Sequence, residues 1–174
     1  MSYHSIAEIL ESASRSEAEF AGRVADLSQA QAEHRPAGDR WTIAEIVEHV
    51  SIVNDGFLRI THKLLKQAET DGIPAPPGLN IGPTWSGSER MQAPERVRPQ
   101  GGVPIAESLA RIERTLAGLH ELRPRLEAVD LSRVTFPHPA FGETNLYQWL
   151  VLLGEHQDRH RRQIEAILTE IEHS

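Results

Sequence analysis

The sequence predicts an all-α fold, a four-helix bundle. Three observations carry the prediction. Apolar residues recur at spacings of three, four and seven in four separate segments, the period of an amphipathic helix. Three of these segments open on Ser, Thr or Asn followed three residues later by Glu or Gln, the pattern of a capping box. No stretch shows credible strand alternation. At 174 residues the chain can bury one core without staples, and it reads as a single domain over residues 1–174.

The first helix lies in SIAEILESASRSEAEFAGRVADL (5–27), where Ile6, Ile9, Leu10, Ala13, Phe20, Val24 and Leu27 form the stripe and Ser5 with Glu8 the start. Pro36 and Gly38 then punctuate a polar stretch. The second helix runs from Ile43 to Glu69, with Thr42 and Glu45 as capping box and Trp41 against Ile46 as hydrophobic staple. Residues 70–103 hold six of the eleven prolines and six of the twelve glycines, so they read as a long connection, functional or mobile. That length can run along a helix and start a parallel neighbour. The third helix begins near Pro104, carries Ile105, Leu109, Ile112, Leu116 and Leu119, and is kinked or ended by Pro124. DLSRVTFPHPAFGETN (130–145) reads as a loop. Asn145 and Gln148 cap the last helix, whose stripe is Leu146, Trp149, Leu150, Leu153, His156, His160, Ile164, Ile167 and Ile171. The order expected is up-down-down-up, with the long crossover between the second and third helices and simple up-and-down as the alternative.

Composition narrows the chemistry. With no cysteine, disulfides, thiolate nucleophiles and zinc–sulfur sites are excluded. A net charge of −7 argues against a nucleic-acid partner. No apolar run approaches the roughly 18 residues of a membrane span. No signal-like segment opens the sequence, so a cytoplasmic protein is expected.

The last helix raises a question at EHQDRHRRQI (155–164): two imidazoles, His156 and His160, sit one turn apart on the apolar stripe. His49, three residues after Ile46 and four before Val53, lies on the inward stripe of the second helix. Three buried imidazoles facing one core are costly unless something organises them, and a divalent metal does so while leaving positions open. The alternative is three separate core histidines, each bonded to a carbonyl or carboxylate. Gln157, Asp158 and Arg159 stand between the pair, so this is not a zincin helix.

RWTIAEIVEHVSIVNDGF (40–57) resembles the "W-s-x-x-E-x-x-x-H" opening of the second helix in the DinB-like superfamily. HPAFGETNLYQWLVLLGEHQDRHRRQIEAI (138–167) is similar to that family's last module, with its "H-x-x-x-H-x-x-Q-I". The resemblance implies a four-helix bundle with a crossover, a divalent metal on His49, His156 and His160, and homodimers. Members with assigned chemistry include low-molecular-weight thiol S-transferases, a thiol-dependent maleylpyruvate isomerase and metal-dependent hydrolases. The function expected is therefore metal-dependent thiol S-transfer or hydrolysis of a small molecule. A non-catalytic metal- or ligand-binding bundle with a structural or stress-related role is the alternative. The ligand set suits zinc or nickel, and any sulfur must arrive with a small thiol.

Expectations for the surroundings follow from helix phase. Glu48 and Glu155 each precede a ligand and turn about 100° away from it, so both read as solvent-facing, as does Asp158. Gln163 matches the motif glutamine and is placed to support a ligand ring, or else makes an ordinary interhelix hydrogen bond. Asn54 and Asp55 approach the site from the second helix. Arg159 and Arg162 read as partners of Glu155, Asp158 or Glu165 on a solvated face. Trp85 plugs the bundle or lines the pocket mouth. Gly56 and Gly154 give room for a ligand. His4, His34, His62, His120, His138 and His173 read as surface or loop residues.

Overall fold

The computed structural model describes residues 2–85 and 92–173, so the middle of the predicted connection, 86–91, lies outside the described residues. Four long helices form the bundle: α1 (Ile6–Val24), α3 (Ile43–Asp71), α4 (Ile105–Leu126) and α5 (Leu146–Glu172). A short α2 (Gln29–Glu33) sits between the first two, and a hairpin of β1 (Thr135–His138) and β2 (Gly142–Asn145) precedes α5. Among the described residues no helix is long and apolar enough to cross a membrane.

The caps explain most helix starts. Thr42 and Asn145 accept from the amides of Glu45 and Gln148, whose side chains return the bond. Ser5 also accepts from Glu8, but the Glu8 carboxylate takes the amide of His4 rather than that of Ser5. Ser28 and Gln31 form a further box that starts α2, which the polar composition of that stretch concealed. Gly72 ends α3 at φ +65°, a left-handed cap that favours glycine. Pro124 falls in the last turn of α4, and the helix ends two residues later.

Side-chain contacts give the helix directions. Glu19 and Arg23 of α1 pair with Arg161 and Glu165 of α5, so these helices run parallel. Thr115 meets Asp55, and Arg125 pairs with Glu69, so α3 and α4 are also parallel. Arg40, just before α3, pairs with Glu170 near the end of α5, making that pair antiparallel. The topology is up-down-down-up.

The hairpin departs from the all-loop expectation. Prolines obscured it, yet Thr135 pairs with Asn145 and His138 with Gly142 around a three-residue turn, with Gly142 at φ +69°. The Trp149 indole N–H donates to the Phe136 carbonyl at 3.1 Å and seats the hairpin on α5. The crossover has structure too. Ile73 accepts from the Asp130 amide and the Ala75 amide donates to Ala128, just after α4, and Ile81 pairs with Tyr3 at both backbone groups.

The apolar core is divided. One cluster holds Ile9, Leu10 and Ala13 of α1, Phe57 and Leu64 of α3, Leu119 of α4 and Leu146 to Leu153 of α5. The other holds Phe20, Ile46, Val50, Ile112, Ile164 and Ile167. Between them every long helix contributes a buried polar side chain: Ser16, Asn54, Thr115 and Gln157. His49 and His160 are buried beside this level, at 4% and 6% exposure. Gly154 lies there against α1, where a Cβ would stand 3.4 Å from Ala13 and Ser16. It permits close helix packing and does not make room for a ligand.

One polar contact in the bundle is unfavourable. Glu17 Oε2 is shielded without a partner, and burial followed by the Glu113 charge raises the Glu17 carboxyl to about 7. The fold therefore favours the protonated form. That contribution is present below the unfolded value and lost as pH rises through 7. Glu17→Gln is expected to stabilise the protein by about 1–2 kcal/mol at pH 8, allowing for partial exposure, and to have little effect at pH 4. Thermal melts at the two pH values check this.

Candidate metal centre

His49 projects from the second turn of α3 because Thr42 fixes where that helix begins and Ile46 and Val50 turn its inner face to the core. His156 and His160 project from the middle of antiparallel α5. The three rings meet, with one nitrogen of each within 4.8 Å of the others. Ring centroids are 5.2 Å apart for His49 and His156, 4.9 Å for His49 and His160, and 4.4 Å for His156 and His160. Trp41 backs His49 at 4.8 Å, and Phe57 lies 6.5 Å from His156. His156 is the partly exposed member of the three as a residue, yet its Nδ1 is shielded from solvent and has no hydrogen-bond partner.

Two rings have their tautomers fixed from behind. His49 Nδ1 donates to the Val97 carbonyl at 2.6 Å. His160 Nδ1 lies 3.0 Å from Gln163 Oε1, which is a donor–acceptor match when that ring carries its proton on Nδ1. Each bond leaves Nε2 as the lone-pair nitrogen facing inward, the arrangement that usually orients metal-binding imidazoles. The Nε2 atoms of His156 and His160 stand 3.1 Å apart. Two nitrogens bound tetrahedrally to one ion at 2.0–2.1 Å would be about 3.3 Å apart. The spacing and donor set fit a divalent cation, and the wider His49 separation leaves the set gathered but not drawn tight.

Electrostatics favour neutral, ligand-competent rings. Burial pushes His160 down to about 3, helped by His49 and Arg159 and opposed by the Gln163 bond. Burial also holds His156 well below the usual imidazole range, with His160, His49, Arg159 and His138 adding to it. His49 is lowered by burial and by Arg159 against the Val97 bond.

The residues beside the ligands differ from the helix-phase expectation. Glu48 is buried at 4% exposure and accepts the amides of Gln100 and Gly101 at 3.0 and 2.9 Å. Glu155 is half-buried and accepts the amides of Thr84 and Trp85, both at 3.1 Å. Neither faces solvent, because the crossover runs along the outside of α3 and α5 and covers their flanks. Burial raises the Glu155 carboxyl to about 7, against its two amide bonds. Asp158 is partly exposed and lies 3.9 Å from Arg161. Arg161, rather than Arg159 or Arg162, makes the ion pairs with Glu19 and Glu165.

Arg159 instead lies over the Trp85 indole at 4.5 Å, and Trp85 in turn meets Phe141. Trp85 packs against the first core cluster with its indole N–H buried, as the anchor reading expects. His138, expected on the surface, stacks on Phe141 at 4.6 Å and lies 5.0 Å from Trp149. Asp55 faces α4 through Thr115, and both side-chain polar atoms of buried Asn54 lack a partner. A Cβ on Gly56 would meet only the flexible end of Arg59.

Two outcomes are expected. Glu48→Ala leaves two loop amides without their acceptor and should cost about 2–3 kcal/mol. Hydrogen exchange at Gln100 and Gly101 should accelerate while the helix amides of α5 stay protected. In metal-free protein the depressed imidazoles contribute stability that is present above about 6.5 and lost as pH falls toward 3. Denaturant midpoints should therefore drop between pH 6.5 and 4, by roughly 2–4 kcal/mol in unfolding free energy across the full range.

Similarity to known proteins agrees with the architecture. The crystal structure of TT2238, described as a four-helix bundle protein, superimposes with a TM-score of 0.63 at 23% identity, covering 91% of this chain and 97% of that one. The uncharacterized protein YuaE of Bacillus subtilis (strain 168) is 24% identical over 147 residues, 84% of this chain and 88% of its own length. The DinB superfamily model matches residues 13–164, a span that contains all three histidines and both glutamate clasps. The chain belongs to the DinB superfamily.

Proposed function

We propose that His49, His156 and His160 hold a divalent metal ion, zinc or nickel, and that the protein is a metal-dependent enzyme acting on a small molecule. The observation that supports this most directly is the pair of Nδ1–H groups bonded outward to Val97 and Gln163, which turns two lone pairs onto one point. Such an ion supplies a 2+ charge that lowers the pKa of a thiol or water beside it. The protein's residues do the rest. Val97 and Gln163 hold the imidazoles in their ligating tautomer. The buried walls keep those rings neutral. The crossover is pinned beside the centre by Glu48 and Glu155.

Thiol S-transfer is the preferred reaction. The carboxylates adjoining the ligands already accept loop amides, and a small thiol ionises much nearer neutral pH than water does. Hydrolysis is the second reading: Glu155 adjoins a ligand and burial raises its carboxyl to about 7, and it would act as general base on release of the Thr84 and Trp85 amides that now occupy both its oxygens.

Protein purified without a histidine tag should carry about one divalent ion per chain by elemental analysis. His156→Ala should remove it while the helical circular dichroism persists. Gln163→Leu should weaken the ion by about 10–100-fold, as loss of a ring-orienting partner does elsewhere. Absence of a stoichiometric ion would overturn the reading. A bound ion that raises the melting temperature, with no turnover of thiol or ester substrates, would make the centre structural.

A further inference from the structure

A cation stands beside the histidine cluster in an acidic chain: Arg159 follows His156 by three residues and precedes His160 by one. It has no carboxylate partner among the described residues. The two acids within reach on its own helix are engaged elsewhere, Glu155 on the amides of Thr84 and Trp85 and Asp158 beside Arg161. The guanidinium is nevertheless only partly exposed. A partly desolvated cation beside the histidine cluster is unfavourable unless an anion joins it.

The setting is built to present that cation. Glu155 fixes the backbone of Trp85, and the indole then covers one face of the guanidinium at 4.5 Å. Stacking restrains the group, and its edge N–H fork, which has no partner among the described residues, matches a planar carboxylate. Trp85 Nε1 is itself buried without an acceptor. Arg96, on the 3-10 turn Glu95–Val97 of the crossover, adds a second positive charge felt at His138. The turn's carbonyl at Val97 is the one that holds His49, so this charge is carried by the same segment that orients a ligand ring.

We infer that Arg159, braced on Trp85, is the specificity-determining residue of the histidine centre and that the small molecule accepted there carries a carboxylate. This deepens the proposed function and rests on it. The carboxylate belongs either to the thiol or to the molecule it attacks.

Calorimetric titration of the full chain loaded with zinc, using 3-mercaptopropionate, its neutral amide and succinate as probes, tests this. Wild type should bind mercaptopropionate about tenfold or more tighter than the amide if the thiol carries the carboxylate. It should bind succinate alongside the amide if the other reactant does. Arg159→Gln should abolish whichever preference is seen, bringing the charged and neutral probes to within about twofold of each other. Arg159→Lys should keep part of it, and Trp85→Phe, which retains a ring face, should weaken it less than Arg159→Gln. The inference is overturned if neither the thiol pair nor succinate distinguishes wild type from Arg159→Gln. If neither thiol binds the loaded protein, the metal-centred reading fails separately. Succinate titrated into metal-free protein, followed by tryptophan fluorescence, then decides the anion site. A saturable change lost in Arg159→Gln sustains it, and no change overturns it.

Discussion

Polar groups buried between apolar clusters must find partners, and that constraint organises this bundle. The core is interrupted at one level, where Ser16, Asn54, Thr115 and Gln157 face inward beside His49 and His160. An unpartnered buried amide or imidazole costs more than a hydrogen bond returns, so an all-apolar layer would give a more stable bundle. In its histidine corner, Val97 and Gln163 hold two rings from behind, whereas Nδ1 of His156, like atoms of Asn54 and Gln157, is buried without a partner. The two bonded rings keep Nε2 as the lone-pair nitrogen, and these rings and His156 converge.

The crossover is part of this arrangement. Successive helix positions point about 100° apart, so a residue beside an inward-facing one lies on the helix flank. Glu48 beside His49 and Glu155 beside His156 use that rotation in the same way. One residue of each pair enters the cluster while its neighbour grips a loop amide pair. The two grips lie on either side of residues 86–91. The connection is therefore tied to the same two helices that supply the histidines, and displacement of α3 against α5 would act on the cluster and on the covering loop together.

The bundle, its direction and three of its four principal caps were legible because they depend on local chemistry and on a period of 3.6. The histidine cluster was legible for the same reason, since His49, His156 and His160 fall in phase with stripes whose burial the apolar residues announce. What helix phase could not reveal was what covers a flank. Glu48 and Glu155 have the phase of exposed residues and became buried because a proline-rich segment, with no period of its own, lies over them. The hairpin escaped notice because each strand is four residues long and one contains Pro137, so neither alternation nor propensity marks it. The helix glycine Gly154 was ambiguous in sequence, and only the proximity of α1 settles its role.

The charge of this chain is distributed in opposition to its total. The net charge is −7, yet the carboxylates nearest the cluster are spent on backbone amides, and among the arginines of α5 the ion pairs fall to Arg161. Arg159 is left beside the cluster, and Arg96 beside His138. An acidic exterior repels anions at long range, but ions in solution screen that repulsion beyond about 8–10 Å. Beside the cluster, low-dielectric walls preserve the local positive field. A small anion that reaches the cluster thus meets attraction from groups that surface salt cannot screen equally. Buried rings, and a guanidinium with no carboxylate partner among the described residues, are costly to fold, and a charged guest would relieve that cost.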